Sequence, residues 1–343
     1  MKTLSCQRLL ACAALVLAVA LTAGVAPALA DTVDMAAARK EGKLTWYTSV
    51  PVETAQKISN LFQEKTGIKV ELFRSGGSNI LRRFQQEADG GKIFVDVLTH
   101  SEPAAARMMT KKGLFVPFKA ADFDKVPNEV KDPNGYYVAQ RLNVMAMYLR
   151  DDKVAAADRP KTWLDITAPK YKGKLVMADP SFSSLLVTIV GTLAREHGWQ
   201  YFEKLRANDI MLVQGNQQVS DMIKRAERLI AVGADAAYVG DIKKTGMAIS
   251  TLYPEDGAFI IPSPSSVVKG SPNPNAAKAF AEFMLSRPVQ ELFPHEHLYS
   301  ARTDVAGPEG NPPLGEIKIH PVDYDYIEAE TTRIKRRFAE ALQ

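Results

Sequence analysis

From Lys43 onward, short β-like apolar runs alternate with stretches of helical period, and the joints between them are rich in Ser, Gly, Asn and Gln. Few architectures tolerate that alternation, which is the pattern of repeated βαβ units and predicts an α/β fold built on largely parallel strands. Residues 44–48 read as a strand. Ala55, Ile58, Leu61 and Phe62 then share one helical face that stops at Thr66-Gly67. Residues 68–73 form the next strand and run into Arg74-Ser75-Gly76-Gly77-Ser78-Asn79; a helix with Ile80, Leu81, Phe84 and Ala88 inward follows. A third strand is expected over 94–98, ending at Thr99-His100-Ser101.

A second set begins near Lys174. Residues 175–177 lead through Ala178-Asp179-Pro180-Ser181-Phe182-Ser183-Ser184 into a helix carrying Leu186, Ile189, Val190 and Leu193. Residues 210–213 lead through Gln214-Gly215-Asn216-Gln217-Gln218 into a helix with Val219, Met222 and Ile223, and residues 229–232 lead through Gly233-Ala234-Asp235 into one with Ala237, Tyr238 and Ile242. Parallel strands joined by helices bring their strand-to-helix loops to one sheet edge, the edge at which open α/β sheets take ligands. Between the two sets runs 135–148, extended and without a helical break, and 257–270 suits a return crossing. Two crossings imply two lobes and a hinge. The expected lobes are 31–141 with 258–305, and 142–257 with 306–343.

The first thirty residues stand apart. Lys2 and Arg8 precede an uncharged run over 9–30 that ends in Ala28-Leu29-Ala30, the small-x-small pattern of a cleavage site. Thr22, Gly24 and Pro27 interrupt the run, and Asp31 and Asp34 follow it, which speaks against a membrane anchor. A cleaved leader over 1–30 and a soluble periplasmic chain, not embedded in the membrane, are therefore expected. Both cysteines, Cys6 and Cys12, leave with the leader, so no disulfide is expected. Forty-three Lys and Arg against 39 Asp and Glu give a net charge of +4, too small an excess to suggest a nucleic-acid partner. Nothing in the pattern demands an oligomer, and a monomer is expected.

Catalytic spacings are missing. There is no G-x-S-x-G elbow, no phosphate loop of the G-x-x-x-x-G-K-[ST] type and no H-E-x-x-H helix. His295-Glu296-His297 reads as a solvated loop rather than a metal site, His197 as a helix-end cation, and His100 as a strand-end residue on the ligand edge. Asp179, Asp221, Asp235 and Asp241 have no spacing that pairs them as acid and base. No catalytic residue, cofactor or resident metal is assigned. What stands out are Ser75-Gly76-Gly77-Ser78 and Ser181-Phe182-Ser183-Ser184: free amides at a helix start, with Gly allowing close approach and Ser adding donors, suit an anion. Taken singly, each stretch is better explained by helix capping and tight turning; taken as facing loops of two lobes, the pair is better explained by binding.

In their order along the chain, the leader, residues 44–49 (Leu-Thr-Trp-Tyr-Thr-Ser), 62–70 (Phe-Gln-Glu-Lys-Thr-Gly-Ile-Lys-Val), Asp96-Val97-Leu98, Tyr253-Pro254-Glu255-Asp256-Gly257 and 273–280 resemble the extracellular solute-binding proteins of ABC importers, nearest the ferric-iron-binding, Fut-type branch. The resemblance implies a two-lobed type II periplasmic binding fold that closes about its hinge on one small ligand and docks on a membrane permease driven by an ATPase. Iron binders of that branch carry two adjacent tyrosines where this chain reads Ala236-Ala237-Tyr238-Val239, so only Tyr238 matches. Their first-loop histidine is replaced by Ser49-Val50-Pro51. Ferric iron is a hard ion that wants several anionic oxygens, and Tyr47, Tyr136, Tyr137 or Glu102 would have to supply them. The expected ligand is instead a small anion, a phosphonate, phosphate ester or carboxylate. Ser75, Gly76, Gly77 and Ser78 would grip it from one lobe and Ser181, Ser183 and Ser184 from the other. Ser49, His100 and Ser101 would line the cleft, Arg141 and Asn143 add donors, and Tyr238 with Asp241 orient a polar or amino end. A ferric-iron binder using Tyr238 and Glu102, and a secreted enzyme on the same fold, are the competing readings.

Overall fold

The computed structural model describes residues 30–342; the expected leader, apart from Ala30, lies outside the described residues. The chain opens with helix α1 (Met35–Glu41), strand β1 (Lys43–Thr48), α2 (Val52–Thr66), β2 (Lys69–Arg74), α3 (Gly77–Asp89), β3 (Val97–Thr99), α4 (Pro103–Lys111) and the short β4 (Phe115–Val116). Helix α2 buries Ala55, Ile58 and Phe62 against the sheet, and it stops where Gly67 takes up φ 76° and returns its amide to the Gln63 carbonyl. The third strand is shorter than the apolar run suggested: Phe94 is half exposed outside it, and only Val97–Thr99 pair with β1.

Strand β5 (Val138–Arg150) crosses to the second set: β6 (Leu175–Ala178), α5 (Leu185–His197), α6 (Gln200–Ala207), β7 (Met211–Val213), α7 (Asn216–Lys224), β8 (Ile230–Asp235), α8 (Ala237–Lys244) and β9 (Ile249–Leu252). Strand β10 (Phe259–Val268) returns, followed by α9 (Pro274–Leu285), α10 (Arg287–His295), β11 (Tyr299–Ser300) and α11 (Tyr324–Leu342).

The sheet runs in the order β2-β1-β3-β10-β5-β8-β6-β7. The outer strands on each side are parallel, β2-β1-β3 and β8-β6-β7, as the repeated βαβ pattern requires. The two crossing strands at its centre are antiparallel, pairing Phe259 with Met145 through Ser265 with Val138. The far end of β10 then pairs with β3, and the far end of β5 with β8. Each lobe thus hangs from one end of a common two-stranded ribbon, the two-lobed fold with a hinge. Both strands carry a register shift, at Ser263/Pro264 in β10 and between Ala146 and Tyr148 in β5. The β10 shift falls at a proline, which has no amide to give a ladder.

Two main cores follow this division. One gathers Trp46, Phe62, Phe280 and Phe293; the other gathers Trp163, Leu186, Ile189, Phe202 and Phe338. Leu314 and Ile317 still pack in the first core, so the chain returns to the second lobe later than residue 306, near Val322 and Tyr326. The C-terminal helix α11 lies against α5 at Gly191, where an added Cβ would come within 2.5 Å of Ile327 Cδ1 and 2.7 Å of Ile334 Cδ1. It also reaches the first lobe: Lys335 Nζ lies 3.4 Å from the buried Glu102, and Lys111 and Arg107 of α4 pair with Glu328 and Asp325. Among the described residues no helix is long and apolar enough to cross a membrane.

Candidate functional site

The strand-to-helix loops of both lobes meet in one cavity of about 410 Å³, lined from the first lobe by Ser49, Pro51, Arg74, Ser75, Gly76, Gly77, Asn79 and Ser101, and from β5 by Arg141. The second lobe contributes Phe182, Ser183, Ser184 and Leu185, the whole Gln214–Gln218 turn, Asp235 and Tyr238. The starts of α3, α5 and α7 therefore face the same space. Helix starts carry unsatisfied amides and a partial positive charge, so their convergence creates a positive field without surface lysines.

Arg141 strengthens that field. It is 2% exposed, and its Nε and Nη1 are buried with no hydrogen-bond partner. Burial lowers its pKa to about 10, with Asp235 and Tyr238 acting against the shift. It remains a cation at neutral pH, and a buried cation without a partner is costly unless an anion arrives to meet it. Ser49 presents a hydroxyl that is likewise buried and unpartnered. Arg74, at the end of β2, donates its Nε to the Val50 carbonyl at 3.0 Å.

Asp235, at the end of β8, is 5% exposed; one of its carboxylate oxygens accepts the Ala237 amide at 3.1 Å. Burial raises its pKa to about 6, against the lowering effects of the Ala237 amide and Arg141. Tyr238 is pushed up to about 12, first by burial and then by Asp235, with Arg74 and Arg141 opposing.

Several expected residues fall elsewhere. Ser78 is turned into the lobe contact: its amide donates to the Phe182 carbonyl at 3.2 Å and its Oγ to the Pro180 carbonyl at 2.9 Å. Gly76 and Gly77 do line the cavity, but what approaches them is the opposite lobe. An added Cβ at Gly76 would lie 2.5 Å from the Phe182 oxygen, and one at Gly77 2.0 Å from Ser184 Oγ. Those glycines let the lobes close on each other. Ser181 lies outside the cavity wall and donates its amide to Asp179, shaping the turn. His100 is fully buried behind the cleft, held neutral by burial with its pKa lowered to about 3, and its Nδ1 accepts the Glu102 amide. Asn143 spends its amide nitrogen on the Ile261 carbonyl and Ser263 Oγ, bracing the ribbon.

Asp241 points to the outer rim, 3.2 Å from Lys244 Nζ and 3.7 Å from His297 Nε2. Tyr238, three residues earlier in α8, lines the cavity and Asp241 does not. Glu102 is engaged by Lys335 and does not line the cavity with Tyr238, so the two oxygen donors expected for iron do not share a site. The His295–His297 stretch is not a solvated loop, since the His297 ring fills the space beside Gly240 and Glu296 pairs with Lys57 at 2.6 Å. Among the described residues no group of three or more His, Cys, Asp and Glu could hold a metal ion. Sequence reasoning did not assign Arg74, Asp235 or the Gln214–Gln218 turn to the site. Arg74 and Asp235 close strands β2 and β8, and the turn directly follows β7, which was the available signal.

Residues 92–330 match the family of bacterial extracellular solute-binding proteins. The chain belongs to that family. Its curated relatives include a probable ABC transporter periplasmic-binding protein, y4fP, of Sinorhizobium fredii, 24% identical over 78% of this chain and 73% of the relative. The Fe(3+)-binding periplasmic protein of Serratia marcescens is 24% identical over 75% of this chain and 77% of its own length. A putative 2-aminoethylphosphonate-binding periplasmic protein of Salmonella typhimurium is 23% identical over 73% and 72%. Among solved structures, the periplasmic binding protein AfuA of Actinobacillus pleuropneumoniae, with fructose-6-phosphate bound, superposes with a TM-score of 0.78 at 21% identity, over 88% of this chain and 98% of that one. The solute-binding protein described here thus lies near the ferric-binding branch, and its fold is that of periplasmic binding proteins.

Proposed function

We propose that this solute-binding protein captures a small organic anion, a phosphonate, phosphate ester or carboxylate, in the cleft between its lobes and delivers it to a membrane permease with its ATPase. The lobes assigned are 31–141 with 258–305 and 142–257 with 306–343, although residues 306–320 pack toward the first. Export by the cleaved leader over 1–30 puts the mature chain in the periplasm, as a monomer. Arg141 carries this reading: it is a buried guanidinium with two unpartnered nitrogens on a wall where three helix starts converge.

Ligand contacts both lobes only when they are together, so binding stabilises the closed state by its differential contacts. The residues assigned to the ligand are Arg141, Arg74, Ser49, Ser75, Ser101, Ser183, Ser184, the Gln214–Gln218 turn, Asp235 and Tyr238. A relative named for 2-aminoethylphosphonate and a fold neighbour holding a sugar phosphate support an anionic cargo. Ferric iron is the second reading, supported by the Serratia relative. Against it stand a single tyrosine kept protonated to about pH 12 and two guanidinium groups that repel a trivalent cation. The test is a thermal-shift screen of the mature chain across phosphonates, phosphate esters, carboxylates and ferric citrate, followed by solution scattering. An anion should raise Tm and compact the particle with no product formed. Response to ferric iron alone would refute the reading.

A further inference from the structure

Arg141 and Asp235 present opposite charges to the same cavity without joining in an ion pair. Arg141 has two free, buried nitrogens, and Asp235 has only the Ala237 amide on one oxygen. The remaining charged or titratable groups on this wall are Arg74 and Tyr238. Arg74 and Arg141, with the helix starts, account for an anionic end of the ligand. Nothing in that set accounts for Asp235, because an ionised carboxylate accepts hydrogen bonds and donates none. A ligand that is anionic throughout would leave this carboxylate buried beside a like charge.

We infer that Asp235 is the specificity-determining residue of the cleft and selects a zwitterion, a ligand whose anionic group meets Arg141 and Arg74 while an ammonium group meets the free oxygen of Asp235. This rests on the anion reading above and narrows it. The neutral competitor is a purely structural Asp235 that caps α8 through the Ala237 amide. Asp235→Asn separates the two, because an asparagine oxygen keeps that cap and removes the charge.

The experiment is calorimetric titration of the mature chain with three probes of equal length, 2-aminoethylphosphonate, 2-hydroxyethylphosphonate and propylphosphonate. The ammonium probe should bind the wild-type protein about 100-fold more tightly than the propyl probe. Asp235→Asn should erase most of that ratio, bind the propyl probe as well as or better than wild type, and keep or raise its ligand-free Tm at pH 7, where the wild-type carboxylate is ionised. Equal affinity for all three probes, or a ratio unchanged in Asp235→Asn, would overturn the role of Asp235 while leaving the anion reading intact. Tighter binding of the hydroxyl probe than the ammonium probe would overturn the zwitterion. Binding of none of the three would overturn this inference, and the anion reading would fall with it only where phosphate esters and carboxylates also leave Tm unchanged.

Discussion

Replacing Gly76 by alanine tests whether lobe-to-lobe contact is part of capture. Gly76 sits at φ −60° and ψ 144°, a conformation any residue adopts, so alanine leaves the first lobe unstrained. Its new Cβ would lie 2.5 Å from the Phe182 oxygen, where ordinary contact begins at 3.4 Å. The obstacle is backbone and cannot rotate away, so the lobes must part by about 1 Å. That separation breaks the two bonds made by Ser78, to Phe182 at 3.2 Å and to Pro180 at 2.9 Å. At about 1 kcal/mol each, the closed state loses about 2 kcal/mol, or about 30-fold in affinity. The ligand-free protein should keep its Tm or gain slightly, since alanine narrows the unfolded ensemble. Titration with 2-aminoethylphosphonate beside scattering of the liganded particle reads both effects. Binding within threefold of wild type, with full compaction, would refute the closure contact.

Arg141→Gln should cost binding of the same probe about 2–5 kcal/mol, while ligand-free denaturant stability holds or rises because an unpartnered buried charge has gone. Asp235 ionises near 3.8 when unfolded but at about 6 when folded, so the folded state holds an extra proton between those values. Ligand-free stability should therefore fall by up to about 3 kcal/mol as pH rises from about 4 to 6, and urea titrations of Asp235→Asn should lack this slope. Lys335→Met, which strands the buried Glu102, should lower Tm by several degrees, and adding Glu102→Gln should restore most of it. Ferric citrate should give no visible tyrosinate absorption in the wild-type protein; a band lost in Tyr238→Phe would favour iron.

The repeated strand-loop-helix pattern made the lobes, the two crossings and the ligand edge legible, because apolar period and turn residues are local properties. The same logic located Ser49, Ser75, Ser101, Ser183 and Ser184 on the cavity wall. That the opposite lobe also approaches Gly76 and Gly77 was not legible, since a glycine's freedom to be approached does not say by what. Asp241 was chosen over Asp235 although Asp235 ends the strand. Asp235 closes β8 at the ligand edge, whereas Asp241 lies a turn into α8, where it pairs with Lys244 at the rim. Arg141 and Asn143 lie two residues apart on β5, one on the cavity wall and the other tied to β10, and only the pairing of the two crossing strands separates their fates.

That pairing also has an evolutionary reading. With both crossings laced side by side into a single ribbon, the swing of the lobes belongs to the ribbon, to the register shift within it at Ser263/Pro264 and to the one where β5 meets β8, while selectivity belongs to the turns that follow the outer strands. Insertions or substitutions in those turns can then change the cargo without retuning the joint, so one mechanical chassis can be refitted for chemically unrelated nutrients.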